Sequence, residues 1–566
     1  MRKVIKRFPH FFLSISAALF FGFFLGRVHL FDWDEVNFAT VAKEMLLSHN
    51  WMRTSVDYLP FSDKPPLFFW MQSISMKIFG INEWAARLPN ALAGIATINF
   101  VFFLGKKHHN SKMAWQWVLV YLGSFTSQLY FRSGIIDPWF NLFIFFALYF
   151  LSQAISSSKK HVYFFLMGIS LALAFLTKGP VAILVIGLVG LYILIQNNFR
   201  RYFALSHLVL LALPILSVIF WWYLLGNDGS PSKVLGNFIS IQKDLFSKNV
   251  ANHAQPFFYH PLVLLVGMFP ASILAFRGLT KKVGDKGNKA YLLENLLRIF
   301  FWVVLILFSL VKTKIVHYSS MTYLPITYFA AIRLKNIKLN KLEISLLWVI
   351  SLIIVAALSL LSLVGNNPTF KNTIANFINN PITTEALQLE GPWTGMEFGI
   401  VGIFFIGVLF VLYAHKFQYL FFWVAIFCPM LLVSFAPKIE AHSQKELVAF
   451  HKARQNEDAY FISHSFATYI PNFYARNKSY REDDEIWQIR KDVLQKYNCN
   501  TYSNLPLEKR GAFSSEIWQR LLTGKIDKPV YISILKKDQH KMSQYPKLEF
   551  LYERGPYAFY KRTLLQ

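Results

Sequence analysis

The chain has 566 residues, 54% of them hydrophobic and 17% aromatic, and Phe alone fills 57 positions. Charged residues are 16% of the total, against roughly 25% in a soluble domain, so the composition excludes an ordinary soluble enzyme and indicates a polytopic membrane protein. The net charge is +27, but the excess Lys and Arg lie mostly in short connections between apolar runs, the positive-inside pattern rather than a nucleic-acid surface. Cys428 sits in an apolar run and Cys499 in a polar tail, which provides neither a disulfide framework nor a Cys-based metal site.

The first apolar run follows MRKVIKR and continues to Phe31 without a small-x-small cleavage site, so it reads as a retained first helix. Residues 31–87 then form an unusual outer loop, FDWDEVNFATVAKEMLLSHNW followed by YLPFSDKPPLFFW and INEWAARLPNALAG. Val36, Ala39, Ala42, Met45 and Leu46 fall near helical spacing, which places Asp34 at or just before a helix N-terminus. Pro65 and Pro66 suit the start of a second helix with a stripe of Leu67, Trp70, Met71, Ile74 and Ile78. Both helices are expected to lie flat in the membrane interface. Further runs follow at about 88–104, 113–130, 135–151, 162–176, 181–195, 202–225, 257–276, 296–311, 315–332, 344–364, 398–413 and 417–435, giving about thirteen spans.

With a cytoplasmic N-terminus, alternate connections read GKKHHNSK, SSSKK, NNFRR, RGLTKKVGDKGNK, RLKNIKLNK and AHK, all basic. The opposite set, namely 31–87, FRSGIID, LTKGP, 226–256, VKTKIVHY, 365–397 and the tail, then faces outward, to the periplasm of a bacterium or the endoplasmic reticulum lumen of a eukaryote. From Lys438 the chain turns polar, with strand signals at 459–463 and 529–535, a hairpin of 547–552 with 557–562 about Arg554-Gly555, and a helical EIWQIRKDVLQKY. The expected organisation is a helical membrane domain over 1–437 and a small extramembrane α/β domain over 438–566, in a supporting or acceptor-docking role.

Several outward residues could carry chemistry. Asp34 and Glu35 could be helix-capping, solvated charge, which explains one carboxylate better than two. Asp137, in FRSGIIDPWF, is either an N-cap paired with Arg132 or a functional carboxylate at the membrane edge. Lys178 in LTKGP could snorkel to the interface or hold a lipid phosphate. Lys312 and Lys314, beside His317 and Tyr318 in SLVKTKIVHY, run against the inside bias. His253, with His260 further on, is either solvated or a metal ligand shared with a first-loop carboxylate, although two ligands so far apart are no metal signature. Gathered in one outward cavity, cations would hold a lipid phosphate and a carboxylate would take a proton from an acceptor hydroxyl or phosphate. A prenyl phosphate, with a second pKa of about 6 by analogy with phospho-residues, leaves without a general acid.

The order DE…DKPPLFFW…EWAARLPNALAG, followed by SGIID, LTKGP, HAQPFFYHP and KTKIVHY, resembles the membrane glycosyltransferases of the GT-C fold. The likeness is to the bacterial aminoarabinose (lipid A) transferases and the related dolichyl-phosphate-mannose protein mannosyltransferases. The resemblance implies Asp34 as catalytic base with Asp137 as the second acidic site, and Glu35 joins them as a catalytic candidate. It assigns Lys64 and Lys178 to the donor phosphate; Lys312 and Tyr318 are added to that set. It further implies a divalent metal, zinc or magnesium/manganese, at Asp63 and His253, and no nucleotide cofactor. Two departures stand out: Asp63 is one methylene shorter than the family's Glu, which weighs against a shared metal, and DEVNFAT replaces DEARYAE, putting Asn37 and Phe38 where Arg and Tyr are common.

The implied activity is inverting transfer of a sugar from a polyprenyl-phosphate donor to lipid A or another envelope glycolipid at the outer face of a bacterial inner membrane. Transfer to protein hydroxyls, as in O-mannosylation, is the alternative. A lipid-sugar transporter or flippase is more distant, because no repeat symmetry is visible.

Overall fold

The computed structural model describes residues 7–196, 204–222, 255–281, 290–334, 339–476 and 478–564, together with 236, 240 and 243. Among these, seven helices are long and apolar enough to cross a membrane: Glu83–His108, Asp137–Ser156, Lys160–Lys178, Tyr291–Leu310, Lys341–Asn366, Met396–Tyr413 and Gln418–Ala441. Shorter apolar helices include Pro9–Gly22, Leu205–Phe220 and Ala271–Thr280.

Several expected spans are interrupted for local reasons. The first run gives a helix of only 14 residues, Pro9–Gly22, and the chain then turns repeatedly up to Trp33, with Phe24 and Trp33 both at positive φ. The 113–130 run breaks at Gly123, where the Gln418–Ala441 helix crosses so closely that a Cβ would strike the Phe421 backbone. Ser111–Leu122 is therefore followed by a separate short helix, Phe125–Leu129. The 315–332 run opens as a 3₁₀ segment, Val316–Thr322, before the α-helix Tyr323–Leu334. This tighter turn places His317 and Tyr318 beside the start of the Asp137 helix.

The outer loop holds the two expected helices, Asp34–Leu47 and Leu67–Phe79, but neither lies as an isolated amphipathic rod. Every residue from Glu35 to Met45 is buried. One side of that helix packs Phe38, Val41 and Met45 on Phe68, Phe69, Ile135 and Ile136. The other side sets Val36, Ala39 and Ala42 against Leu447, Phe473 and Tyr474 of the C-terminal segment. On the Leu67–Phe79 helix, Gln72 and Ser73 face inward, with Gln72 donating to the Ala86 carbonyl (2.8 Å) and Ser73 to that of Ala42 (2.9 Å). Ile74, Ile78 and Phe79 are exposed. An apolar face turned outward is the arrangement a bilayer surface favours, the inverse of that in water.

Two short strands, β1 (Ser55–Val56) and β2 (Leu59–Pro60), pair in the loop between these helices. Beyond the last long helix, β3 (Tyr460–His464), β4 (Val530–Leu535), β5 (Leu548–Arg554) and β6 (Tyr557–Arg562) form a sheet of order β3-β4-β6-β5. β3 and β4 are parallel and the other pairings antiparallel. The β5–β6 hairpin turns at Gly555, whose φ of +53° suits glycine. Helices Glu485–Lys496 and Arg510–Thr523 cover one face.

The C-terminal segment is fastened to the outer loop by charge. Asp57, between β1 and β2, pairs with Arg476 and with Arg490 (2.7 Å), and Tyr480 donates to it at 3.1 Å. Burial works against the Asp57 carboxylate, but the two guanidiniums outweigh it and hold its pKa below the usual range. Nearby, buried Glu44 accepts from Ser55 Oγ (2.6 Å) and from the backbone N–H groups of Asp57 (2.7 Å) and Tyr58 (3.0 Å). Burial nevertheless pushes Glu44 up to about 7, and it depresses the adjacent Lys43 to about 7 as well.

Candidate active site

A cavity of about 440 Å³ opens where the first helix of the outer loop meets the starts of the Asp137–Ser156 helix and of a further helix, Val181–Gln196, and the 3₁₀ segment. Asp34, Lys64, Lys178, His317 and Tyr318 line it, among apolar walls that include Phe38, Phe140 and Phe308. The local geometry takes a capping role away from Asp34. It is the first residue of its helix, and the N-cap is Trp33, with no side-chain cap. The loop is tied instead by Asp32, which accepts from the backbone N–H groups of Trp33 (2.8 Å) and Tyr469 (3.0 Å). Asp34 is thus left 43% exposed at its side chain.

Asp137 likewise opens its helix without capping it. Its partner is not Arg132 but Lys178, at 2.6 Å. Arg132 turns away and donates to the carbonyls of Phe20 (2.5 Å) and Gln128 (3.4 Å). Asp137 is 1% exposed, and its Oδ2 has no hydrogen-bond partner. His317 stands between the two acids, with Nε2 3.6 Å from Asp34 Oδ2 and 3.8 Å from Asp137 Oδ2. The Lys178 ammonium lies over the Tyr318 ring at 5.1 Å and the Phe140 ring at 5.4 Å. The order Asp34, His317, Asp137, Lys178 is therefore a continuous polar line in an apolar wall, and Lys64 is a further cation at its edge.

Glu35, the next residue to Asp34, does not line this cavity. It forms a two-point pair with Arg87 (Nε–Oε1 2.9 Å, Nη2–Oε2 2.8 Å) and accepts from the Phe31 and Gly134 N–H groups at 2.9 and 2.5 Å. Arg87 also donates to the carbonyls of Leu25, Val28 and His29. Burial opposes ionisation of Glu35, but the Arg87 charge and these hydrogen bonds prevail and hold its pKa below the usual value. The pair fixes the irregular chain after the first helix onto the Glu83–His108 helix.

The remaining candidates are dispersed. Lys312 is exposed and outside the cavity lining, whereas Lys314 is buried and donates to the carbonyls of Gln255 (2.9 Å) and Val311 (2.6 Å). Asp63 is half-buried, outside the lining, and within electrostatic reach of Tyr469 and Tyr502. His253 lies outside the described residues. Among the described residues no three His, Cys, Asp or Glu side chains cluster as metal ligands. In sequence His317 is only a neighbour of Lys314 and Tyr318; its bridging position depends on the 3₁₀ turn.

Residues 63–223 match the family model described as dolichyl-phosphate-mannose-protein mannosyltransferase. The undecaprenyl phosphate-alpha-4-amino-4-deoxy-L-arabinose arabinosyl transferase of Edwardsiella ictaluri is 27% identical over 54% of this chain and 55% of its own length. A protein of the same name from Proteus mirabilis is 28% identical over 55% and 56%. The match thus spans little more than half the length of these curated relatives. In three dimensions, the crystal structure of ArnT from Cupriavidus metallidurans bound to undecaprenyl phosphate superposes with a TM-score of 0.72 at 14% identity, covering 97% of both chains. The chain therefore has the ArnT fold and resembles the GT-C membrane glycosyltransferases of the aminoarabinose-transferase and protein-mannosyltransferase type.

Proposed function

We propose that the protein is an inverting membrane glycosyltransferase that moves a sugar from a polyprenyl-phosphate donor to lipid A or another envelope glycolipid. The observation that supports this most is the pairing, in one cavity, of a half-exposed carboxylate with a cation-rich, apolar wall. Asp34 takes the proton of the acceptor hydroxyl as that oxygen attacks the anomeric carbon. The bond from that carbon to the phosphate oxygen breaks, and the phosphate leaves with the electron pair. Lys64, with the Tyr318 face of the cavity, meets the departing charge. Lys178 is engaged by Asp137 and acts first as its counter-ion. Asp137 and Lys178 together orient His317, which steadies Asp34 from the opposite side. The apolar walls suit the prenyl chain, and the exclusion of water protects the donor from hydrolysis.

The same reading places Asp34 and residues 438–566 on the periplasmic side of the inner membrane. The packing of Phe473 and Tyr474 on the Asp34–Leu47 helix is consistent with one side for both. The test is incubation of membranes carrying the protein with radiolabelled undecaprenyl-phosphate sugars. Label in the lipid fraction supports the reading; label in protein selects the O-mannosyltransferase alternative, and label remaining on the carrier overturns both.

A further inference from the structure

We propose that a second lipid site, selective for a bilayer phospholipid with an anionic headgroup, lies on the far side of the Glu35–Arg87 pair from the Asp34 cavity. A cleft of about 130 Å³ is bounded there by Phe23, Phe24 and Leu129 on one side and by Leu432 and Val433 on the other. Glu35 and Arg87 also line it. The second wall belongs to the Gln418–Ala441 helix, one of those apolar enough to cross a membrane, so the cleft is presented to hydrocarbon. An apolar crevice in that setting is filled by an acyl chain rather than by water.

Two cations in the same lining specify the headgroup. Arg27 rests on the Phe24 ring at 5.2 Å, and Arg132 rests on the Phe20 ring at 4.7 Å and donates only to the backbone carbonyls of Phe20 and Gln128. Neither guanidinium has an ion-pair partner among the described residues. Glu35 is the carboxylate in the lining, and Arg87 already takes both its oxygens. An uncompensated guanidinium at membrane depth is costly, and a lipid phosphate is the complementary group at that depth, accepting two N–H donors at once from a guanidinium. Charge complementarity thus selects an anionic phospholipid over a zwitterionic one. Its acyl chain would lie against the Glu35–Arg87 strut, so occupancy would brace the helix start that carries Asp34. The site is independent of the reaction assigned above.

The experiment is native mass spectrometry of the full chain, delipidated and reloaded with phosphatidylglycerol or phosphatidylcholine of identical acyl composition. One phosphatidylglycerol per chain should survive detergent exchange, with phosphatidylcholine lost about tenfold more readily, and R27A should abolish that preference. Arg27 is exposed, so R27A should keep the wild-type melting temperature, and R27A/R132Q with a wild-type melting profile should bind neither lipid. A phospholipid with a photoreactive acyl chain should label the peptide containing Leu432 and Val433. Equal retention of the two lipids, unchanged retention in the double variant, or labelling elsewhere would overturn the proposal. So would displacement of phosphatidylglycerol by lipid A together with loss of transfer in R27A, since that outcome assigns the cleft to the acceptor.

Discussion

Asp34 and Glu35 are consecutive residues on one helix, and the regions they face differ in every respect that decides what a carboxylate can do. On the Glu35 side, both oxygens are occupied by Arg87 and by two backbone N–H groups, at 2.5 to 2.9 Å. On the Asp34 side, the nearest ionisable partner is an imidazole at 3.6 Å, the side chain is 43% exposed, and the surrounding space is a cavity. The first arrangement uses up the carboxylate in holding the chain; the second keeps it available to a substrate. Residues one apart on a helix point about 100° away from each other, so one acidic pair can serve a strut and a reaction at once.

The sharpest way to break this comparison is to neutralise each acid in turn. Asp34→Asn should lower transfer by about 10²–10⁴-fold, the range of a lost general base, and leave the melting temperature unchanged. Glu35→Gln should do the reverse. Arg87, 3% exposed at its side chain, would lose its counter-charge, costing roughly 3–5 kcal/mol of stability, while the molecules that remain folded keep their turnover. Kinetics and thermal melts on both variants decide the matter. A destabilised Asp34→Asn with normal turnover, or a stable and inactive Glu35→Gln, would exchange the two roles.

A smaller effect should separate the cavity from the junction with the C-terminal segment. Glu44 is raised from 4.5 to about 7 in the folded chain, so its contribution to stability is complete below pH 4.5 and is lost as pH rises to about 7. Lys43 is lowered from 10.5 to about 7, so its contribution is complete above pH 10.5 and is lost as pH falls to about 7. Together they make the junction weakest near neutrality. Glu44→Gln should remove the decline between pH 5 and 7 relative to the wild type, and Lys43→Met the rise between pH 7 and 9. Melting temperatures at these three pH values check both; parallel curves for wild type and Glu44→Gln would show that Glu44 is ionised throughout.

How much of this was legible in the sequence depends on the range of the interaction. The two loop helices, the β5–β6 hairpin about Gly555 and the span at Asp137–Ser156 follow from local pattern and appear near their expected bounds. Asp34, Lys64, Lys178 and Tyr318 were named from motifs, and they share a lining. The partner of Asp137 was not legible: Arg132 is near in sequence, Lys178 is near in space, and only the packing of the Lys160–Lys178 helix on the Asp137 helix decides between them. The burial of the Asp34–Leu47 helix was equally hidden, because Phe473 and Tyr474, which cover it, come from the far end of the chain. The Leu67–Phe79 stripe keeps the outward direction expected of a helix in the membrane interface, with Ile74 and Ile78 exposed, although period alone does not separate a lipid-facing from a core-facing stripe.

The smallest expected effect concerns the two lysine clusters on the outward side. Lys312 and Lys64 are both cations near the 3₁₀ segment and the outer loop, and both suit a phosphate by residue type alone. Lys64 lines the cavity with Asp34, whereas Lys312 is exposed and outside it. An exposed lysine with no cavity contact is worth little to the reaction, because salt largely screens an exposed charge beyond about 8 Å at physiological ionic strength. Lys312→Ala should therefore change transfer by no more than about twofold, the scale of an ordinary surface substitution. Lys64→Ala, measured in the same assay, supplies the reference for a cation that does meet the donor. A larger loss in Lys312→Ala than in Lys64→Ala would mean that the donor phosphate rests at the outer rim, and would move the reacting centre away from Asp34.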